Sequence, residues 1–368
     1  MKRLLPIVLC LLPVFVHAEE KYQYVRADLY FDEQWTVSDK DIKVLENMPA
    51  PTSQQGFGFC YGHSAATVFN YHNCQAYKES CTAVEPNRLV SPLGVAVWGQ
   101  EMPVYGEGGY SFNKPEELTE GGSAILALFN TAVIRGSAID QACIDERAFL
   151  GSRYVEDGSI SEASVAAQRE LLGQLQAFYR KYNGKFATTA DIPETVLAEL
   201  RQIVPSVDNP QLAKGLNGRK FGEFLLRVVI PDRCKRLPNH VLFERNMKLV
   251  EYPDSEKKPH TYAGALAVIK KAIDGGSPLI LEVECALKKT GAKGCSKDFA
   301  HSYVIYGYAR LCEASGECRY GLRLRNSWGD KQDALDRVRW YDARPLIEAA
   351  PKKGVILGWL VPRPKTTP

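Results

Sequence analysis

The chain changes character near Gly276, and that change limits its fold more than any other feature. Upstream, apolar residues recur at three- and four-residue steps; downstream they gather in short β-branched and aromatic runs between turn signals. Tyr61, Ala65, Val68, Phe69 and His72 share one face of a helix expected over 61–73. Val90–Gln100 reads as a buried turn and short helix, and Gly121-Gly122 opens a helical stretch over Ser123–Val133. A longer helix is expected from Ile160 to Tyr182. Ser159 and Glu162 would form its capping box, Leu171, Leu175, Phe178 and Tyr182 its apolar stripe, and Asn183-Gly184 its stop. Glu194–Val204 lies between Pro193 and Pro205, and Tyr262–Ile273 is the last helix. Leu279–Val283, Tyr303–Tyr308 and Tyr320–Arg325 read as strands, with an isolated earlier one at Tyr22–Tyr30. Helices first and strands afterwards argue for an α+β fold.

The first residues carry a different signal. Lys2 and Arg3 precede an apolar run, Leu4–Val16, and Val16-His17-Ala18 ends on a small residue. That is the pattern of a signal peptide, 1–18, cut after Ala18, which leaves 19–368 as the mature chain, exported to a periplasm or the extracellular space. No later run approaches the roughly twenty apolar residues of a membrane span, so no membrane insertion is expected. A net charge of +3 offers no basic patch for a nucleic acid.

An oxidising destination gives the cysteines meaning. Apart from Cys10 in the signal segment they are Cys60, Cys74, Cys81, Cys143, Cys234, Cys285, Cys295, Cys312 and Cys318, an odd set that leaves one thiol over. Local spacing favours Cys74–Cys81, Cys285–Cys295 and Cys312–Cys318, with Cys143–Cys234 by elimination. Cys60 is then the unpaired thiol.

Cys60 stands in 54-QQGFGFCYGHSAA-66, just after Gly56 and Gly58 and at the start of the first helix. Backbone N–H groups and the macrodipole at a helix N-terminus favour a thiolate and can also receive an oxyanion. A nucleophilic thiol needs a base, and the base needs something to orient it. His63, His72, His240, His260 and His301 are available after the signal segment. His301 opens the strand run 301-HSYVIYGY-308, which would hold its imidazole on a rigid element. Asn326, in 326-NSWG-329 after the next strand, could accept from one ring nitrogen while the neighbouring Trp shields that bond. His63, one helical turn beyond Cys60, is better read as a packing or surface residue.

With these stretches in place, the sequence resembles the papain-like cysteine peptidases. The carriers are 54-QQGFGFCYGHS-64, 301-HSYVIYGY-308 and 322-LRLRNSWGD-330, supported more weakly by 89-LVSPLG-94, 119-TEGGSAILAL-128 and 266-LAVIKKAIDGGSPLILEVE-284. The resemblance implies a two-lobed fold, with a helical left half around a central helix and a β-rich, barrel-like right half. It implies Cys60 as nucleophile, His301 as general base and acid, and Asn326 as its orienter. Gln54, six positions before Cys60, would donate to the oxyanion, with Gln55 one slip away. Gly121 and Gly122 would line the substrate cleft, and Trp328, counted with that lining, would cover the His–Asn pair. The activity implied is endopeptidase action on protein or peptide substrates, with no metal or organic cofactor. An amidase or acyl transferase acting on cell-wall peptides, or an idle peptide-binding protein, are the alternatives.

The chain also departs from that family. Cys60 and His301 are roughly 240 residues apart, against about 130–150 usual for it, and the excess falls on a mainly helical stretch at about 144–253, read as an insertion. The short segment before Cys60 leaves no room for a helical inhibitory propeptide. Phe57 stands where relatives carry a disulfide cysteine, and no Trp-Gly motif follows in 330-DKQDALDRVRWYD-342.

Overall fold

The structure, a computed structural model, describes residues 22–23, 29–55, 58–101, 122–135, 138–144, 146–156, 161–205, 207, 212–217, 221, 224–225, 228, 247–255, 258–284, 288–289, 301–329 and 337–363. Its described helices are α1 (Cys60–Tyr77), α2 (Pro92–Glu101), α3 (Ala124–Phe129), α4 (Glu146–Leu150), α5 (Glu162–Tyr182), α6 (Glu194–Ile203), α7 (Leu212–Leu216), α8 (Tyr262–Asp274) and α9 (Ala343–Glu348). The strands are β1 (Tyr22–Gln23), β2 (Thr36–Val44), β3 (Met247–Tyr252), β4 (Leu279–Val283), β5 (Lys288–Lys289), β6 (His301–Cys312), β7 (Cys318–Arg325), β8 (Tyr341–Asp342) and β9 (Leu357–Pro362). Helix dominates the first part and antiparallel sheet the last, an α+β arrangement.

The main sheet runs β3-β9-β4-β6-β7-β8, and β2 pairs with β6 beyond the reach of β4. Among the described residues its outer strands β3 and β8 do not pair with each other, so the sheet is open and the barrel-like closure expected from the sequence is absent. Its axis is β6, where Val283 faces His301 across one ladder and Arg325 faces Val304 across the other. Residues 301–309 of this strand are buried, so both of its faces are covered, where the alternation in 301-HSYVIYGY-308 suggests only one.

Helix α1 starts at Cys60 itself, and every residue from Cys60 to Tyr71 is buried. The expected single apolar face is therefore only part of a helix enclosed on all sides. It packs against α2 and α3 on one flank and β6 on the other. Gly62 permits the contact with α2, since a Cβ there would stand 2.6 Å from Pro92 O and 2.7 Å from Ala96 Cβ.

Several boundaries differ from the sequence reading. Helix α5 begins at Glu162, and its capping box is built by Ser161 and Ser164, displacing the expected Ser159–Glu162 pair; Ser159 itself lies outside the described residues. Both serine hydroxyls are short enough to reach each other's backbone N–H. The Ser123–Val133 helix resolves into α3, capped by Ser123, followed by a wider π-turn segment at Asn130–Arg135. Of the strand expected over Tyr22–Tyr30, Tyr22–Gln23 is described as β1 and Tyr30 meets Tyr341 in an isolated bridge, while residues 24–28 lie outside the described residues.

Five described strands have no counterpart among those expected from the sequence: β2, β3, β5, β8 and β9. Strand β3 falls inside the stretch expected to be helical at about 144–253. It pairs residue for residue with β9, from Met247 opposite Pro362 to Tyr252 opposite Leu357. Helix α5 with Phe221 and Phe224 forms an aromatic cluster, in which Tyr179 and Phe178 lie 5.5 and 5.9 Å from Phe224. Disulfides join Cys74 to Cys81 and Cys312 to Cys318, and Cys60 is a free, buried cysteine. Cys143 is also disulfide-bonded; Cys234, Cys285 and Cys295 lie outside the described residues. No described helix is long and apolar enough to cross a membrane.

Candidate active site

Two ends of two elements meet here. Cys60 is the first residue of α1, and His301 is the first residue of β6. The join is made one residue on from His301: Ser64 Oγ donates to Ser302 O at 3.0 Å, and Ser302 Oγ donates to Ser64 Oγ at 3.0 Å. The Cys60 thiol itself interacts with the hydroxyl and backbone N–H of Ser302. The nucleophile candidate thus lies against the residue that follows the base candidate.

His301 is fixed on two sides. Its Nε2 is 2.8 Å from Asn326 Oδ1, and an amide oxygen can only accept, so Nε2 carries the hydrogen of that bond. Trp328 stacks on the imidazole at 4.6 Å with 29° between planes, and Tyr303 meets it edge-on at 4.7 Å. Asn326 Oδ1 also accepts from Ser327 N at 2.8 Å, which locks the amide that holds the ring.

Both titrating groups are out of water, and this corrects one expectation. Burial pushes the Cys60 thiol up, although hydrogen bonds from Ser302 and the Tyr61 N–H pull the other way. Burial therefore works against the thiolate that a helix terminus favours. Burial also brings His301 down to about 4, against the opposing pull of its bond to Asn326. Thiol and imidazole are both neutral near pH 7.

The segment 52–55 runs alongside the 326–329 turn. Gln54 N donates to Ser327 O at 2.8 Å, Gly329 N donates to Thr52 O at 3.1 Å, and Ser53 bridges Trp328. Ser327 Oγ donates to Gln54 Oε1 at 2.5 Å, which fixes which end of the Gln54 amide is the acceptor and leaves its NH2 as the donor end. Gln55, the competing glutamine, turns the other way. Its φ is +56°, and its side chain binds Ser53, Val155 and Gln168.

His63 is buried, not at the surface. It is 1% exposed, with Nδ1 2.8 Å from Thr52 Oγ1. Glu146 Oε1 lies 3.6 Å from its Nε2, beyond hydrogen-bond range, and burial together with nearby His301 takes its pKa down to about 3. Gly122 sits over the ring of Tyr61, whose atoms would be 3.1 Å from a Cβ at that position; glycine lets the chain pass next to the residue that follows Cys60. Gly121 lies outside the described residues. No cluster of three or more His, Cys, Asp or Glu able to hold a metal occurs among the described residues.

Ser302, Ser64, Ser327 and Tyr303 belong to this constellation and were not singled out by the sequence. Serines carry no positional signal when their partners are more than two hundred residues away. Only Ser302 and Ser327 adjoin residues the motifs mark.

No protein-family model and no curated protein matches the chain. Among solved structures it is similar to the SERA5 proenzyme from Plasmodium falciparum, with a TM-score of 0.37 and 11% identity over 85% of this chain, which spans 62% of that one. It is likewise similar to a recombinant stem bromelain precursor, with a TM-score of 0.38 and 11% identity over 94% of this chain and 78% of that one. A third is PepW from Lactobacillus rhamnosis, with a TM-score of 0.37 and 11% identity over 90% and 83% of the two chains.

Proposed function

We propose that the protein is an exported, papain-like cysteine endopeptidase, in which Cys60 attacks, His301 transfers the proton and Asn326 orients His301. The supporting observation is the His301 Nε2–Asn326 Oδ1 bond of 2.8 Å under Trp328, with the Cys60 thiol against Ser302 next door. Since Nε2 is bound to Asn326, Nδ1 is the ring nitrogen that takes the thiol proton. The pair starts neutral, so charge appears only as sulfur attacks the peptide carbonyl. The resulting oxyanion is received by the Cys60 N–H and the Gln54 amide NH2, and the imidazolium then protonates the leaving amine. Water, activated by the same imidazole, hydrolyses the thioester and restores the thiol.

On this reading the helical half around α1 and the sheet built on β6 are the two lobes, and substrate lies between them with Gly121 and Gly122 along its rim. Residues 1–18 are the signal peptide, 19–368 the peptidase domain, and the stretch at about 144–253 an addition to it. The test is mass analysis of the mature protein after a thiol-directed peptidyl epoxide. The expected result is one adduct on Cys60, lost in Cys60→Ala and slowed in His301→Ala, together with cleavage of unfolded casein. No adduct and no cleavage would sink the proposal.

A second reading is favoured by the burial of the site. Cys60 is 6% and His301 5% exposed, and both are neutral, as suits a protein that binds peptides in an idle cleft. It predicts that Cys60→Ala keeps the biological effect. The amidase or acyl-transferase variant keeps the same triad and is separated by cleavage of muropeptides in place of unfolded protein.

A further inference from the structure

The added stretch at about 144–253 reaches the site through Gln55. This residue is 2% exposed and adopts φ +56°, a left-handed conformation that costs a non-glycine residue roughly 1–2 kcal/mol. Its side-chain amide has two donor hydrogens and two acceptor positions, and all four are used. Nε2 donates to Ser53 Oγ at 2.8 Å and to Val155 O at 3.1 Å. Oε1 accepts from Val155 N at 2.8 Å and from Gln168 Nε2 at 3.2 Å. Three of these four partners belong to the added stretch. Gln168 is 0% exposed on α5, and its Nε2 also donates to Arg153 O at 2.8 Å.

The opposite side of the same short segment is tied to the 326–329 turn, by Gln54 to Ser327 and by Thr52 to Gly329. Residues 52–55 are therefore held from two directions. One clamp comes from the turn that carries Asn326, the other from α5 and the Arg153–Val155 segment before it. A buried network with every position satisfied is rigid and specifies one geometry.

We propose that Gln168 and Gln55 are positioning residues for the oxyanion donor. Through them the added helices hold the 52–55 segment, so that Gln54 meets the charge developing on the substrate carbonyl. This rests on the peptidase reading above, because it concerns the oxyanion that Cys60 would generate. The helices are then part of the catalytic apparatus without touching substrate. Their displacement would lower transition-state stabilisation and leave the thiol in place.

The experiment compares Gln168→Met, which keeps volume and loses the donor, and Gln55→Gly, which keeps the left-handed backbone and loses the amide, with Gln54→Ala. Three readouts are taken: kcat and KM on unfolded casein, affinity for an acetyl-dipeptide aldehyde, and the rate of Cys60 alkylation by iodoacetamide. The thiol adds across the aldehyde C=O, its proton passes to the imidazole, and the new oxyanion occupies the hole; alkylation generates no oxyanion. Gln54→Ala is expected to cost about 10²–10³ in kcat. Gln168→Met and Gln55→Gly should cost about ten- to a hundred-fold in kcat and in aldehyde affinity, with KM and alkylation rate unchanged. The Gln54→Ala/Gln168→Met double variant should be no worse than Gln54→Ala alone. If Gln54→Ala is impaired while Gln168→Met and Gln55→Gly match the wild type, the positioning role is overturned and the peptidase reading stands. If Gln54→Ala and Cys60→Ala both behave as wild type, the peptidase reading falls and takes this inference with it.

Discussion

The fold should be acid-labile well before its carboxylates titrate, because two imidazoles are held neutral inside it. His63 is brought down to about 3 and His301 to about 4, burial being the main cause in each case. A histidine in the unfolded chain takes its proton near pH 6.5. Between that value and the folded value, the unfolded state binds more protons than the native one, so stability rises with pH across the window and is lost as pH falls. Each such histidine contributes up to about 1.4 kcal/mol per pH unit. From pH 7 to pH 5 that integrates to about 2 kcal/mol for each and about 4 kcal/mol for both, against a total stability on the order of 5–15 kcal/mol. Glu282 and Asp140, whose pKa values burial raises, act with the opposite sign toward the acid end. A difference measurement removes them. His63→Gln, uncharged and of similar size beside Thr52, Glu146 and His301, should lose about 2 kcal/mol less than the wild type between pH 7 and pH 5. Urea unfolding at pH 7, 6 and 5, followed by tryptophan fluorescence with disulfides intact, reads this directly. Parallel stability curves for the two proteins would refute the claim that His63 is buried and neutral.

Three further outcomes follow from the geometry. Gly62→Ala forces a methyl against Pro92 O and Ala96 Cβ, so α2 must retreat from α1; a stability loss of about 1–3 kcal/mol is expected from the shift in the urea midpoint. Trp328→Ala uncovers the imidazole that it stacks on at 4.6 Å, and on the peptidase reading renewed hydration should move the acid limb of the pH–rate profile upward, toward the ordinary histidine value of about 6.5. Removing Cys312–Cys318 as a double alanine variant opens a loop of sequence separation 6 and should cost about 2 kcal/mol by its effect on the unfolded chain, read from the urea midpoint; on the peptidase reading turnover is unchanged, because the bridge lies at the far end of β6 from His301.

Much of the architecture is legible where burial imposes a period. Helices α6 and α8 and strand β4 lie within a residue or so of their sequence-expected bounds, since Pro193 and Thr261 start the helices and buried aliphatic residues dominate β4. Strand β2 is not legible: its residues are exposed or half-buried, Asp39-Lys40-Asp41 occupies its middle, and its pairing with β6 shifts register between Val37 and Ile42. Strands β3 and β9 specify each other across more than a hundred residues, and no local pattern reports such a partner. The contact of His301 with Asn326 could be expected because both sit in short distinctive runs. The thiol pKa could not, because a helix terminus is visible in sequence whereas the dry surroundings that oppose it depend on β6. Gln55 gave no sign of its role, since Val155 and Gln168 are remote in the chain.

The serine pair that joins α1 to β6 spans a sequence separation of 238, and this has a consequence in time. Synthesis proceeds from the N-terminus, so Cys60 is made long before Ser302, His301 and Asn326 exist. Until β6 and β7 have formed and paired, the thiol lacks the Ser302 contacts that hold it in the folded chain. Contacts this distant close slowly and late in folding. On the peptidase reading, the order of delivery itself keeps the nascent chain from acting on its neighbours, and competence arrives only with the residues up to Gly329. On the export reading, the same interval exposes Cys60 to an oxidising compartment alongside the cysteines meant to pair, and only the enclosure of α1 by its neighbours ends that exposure.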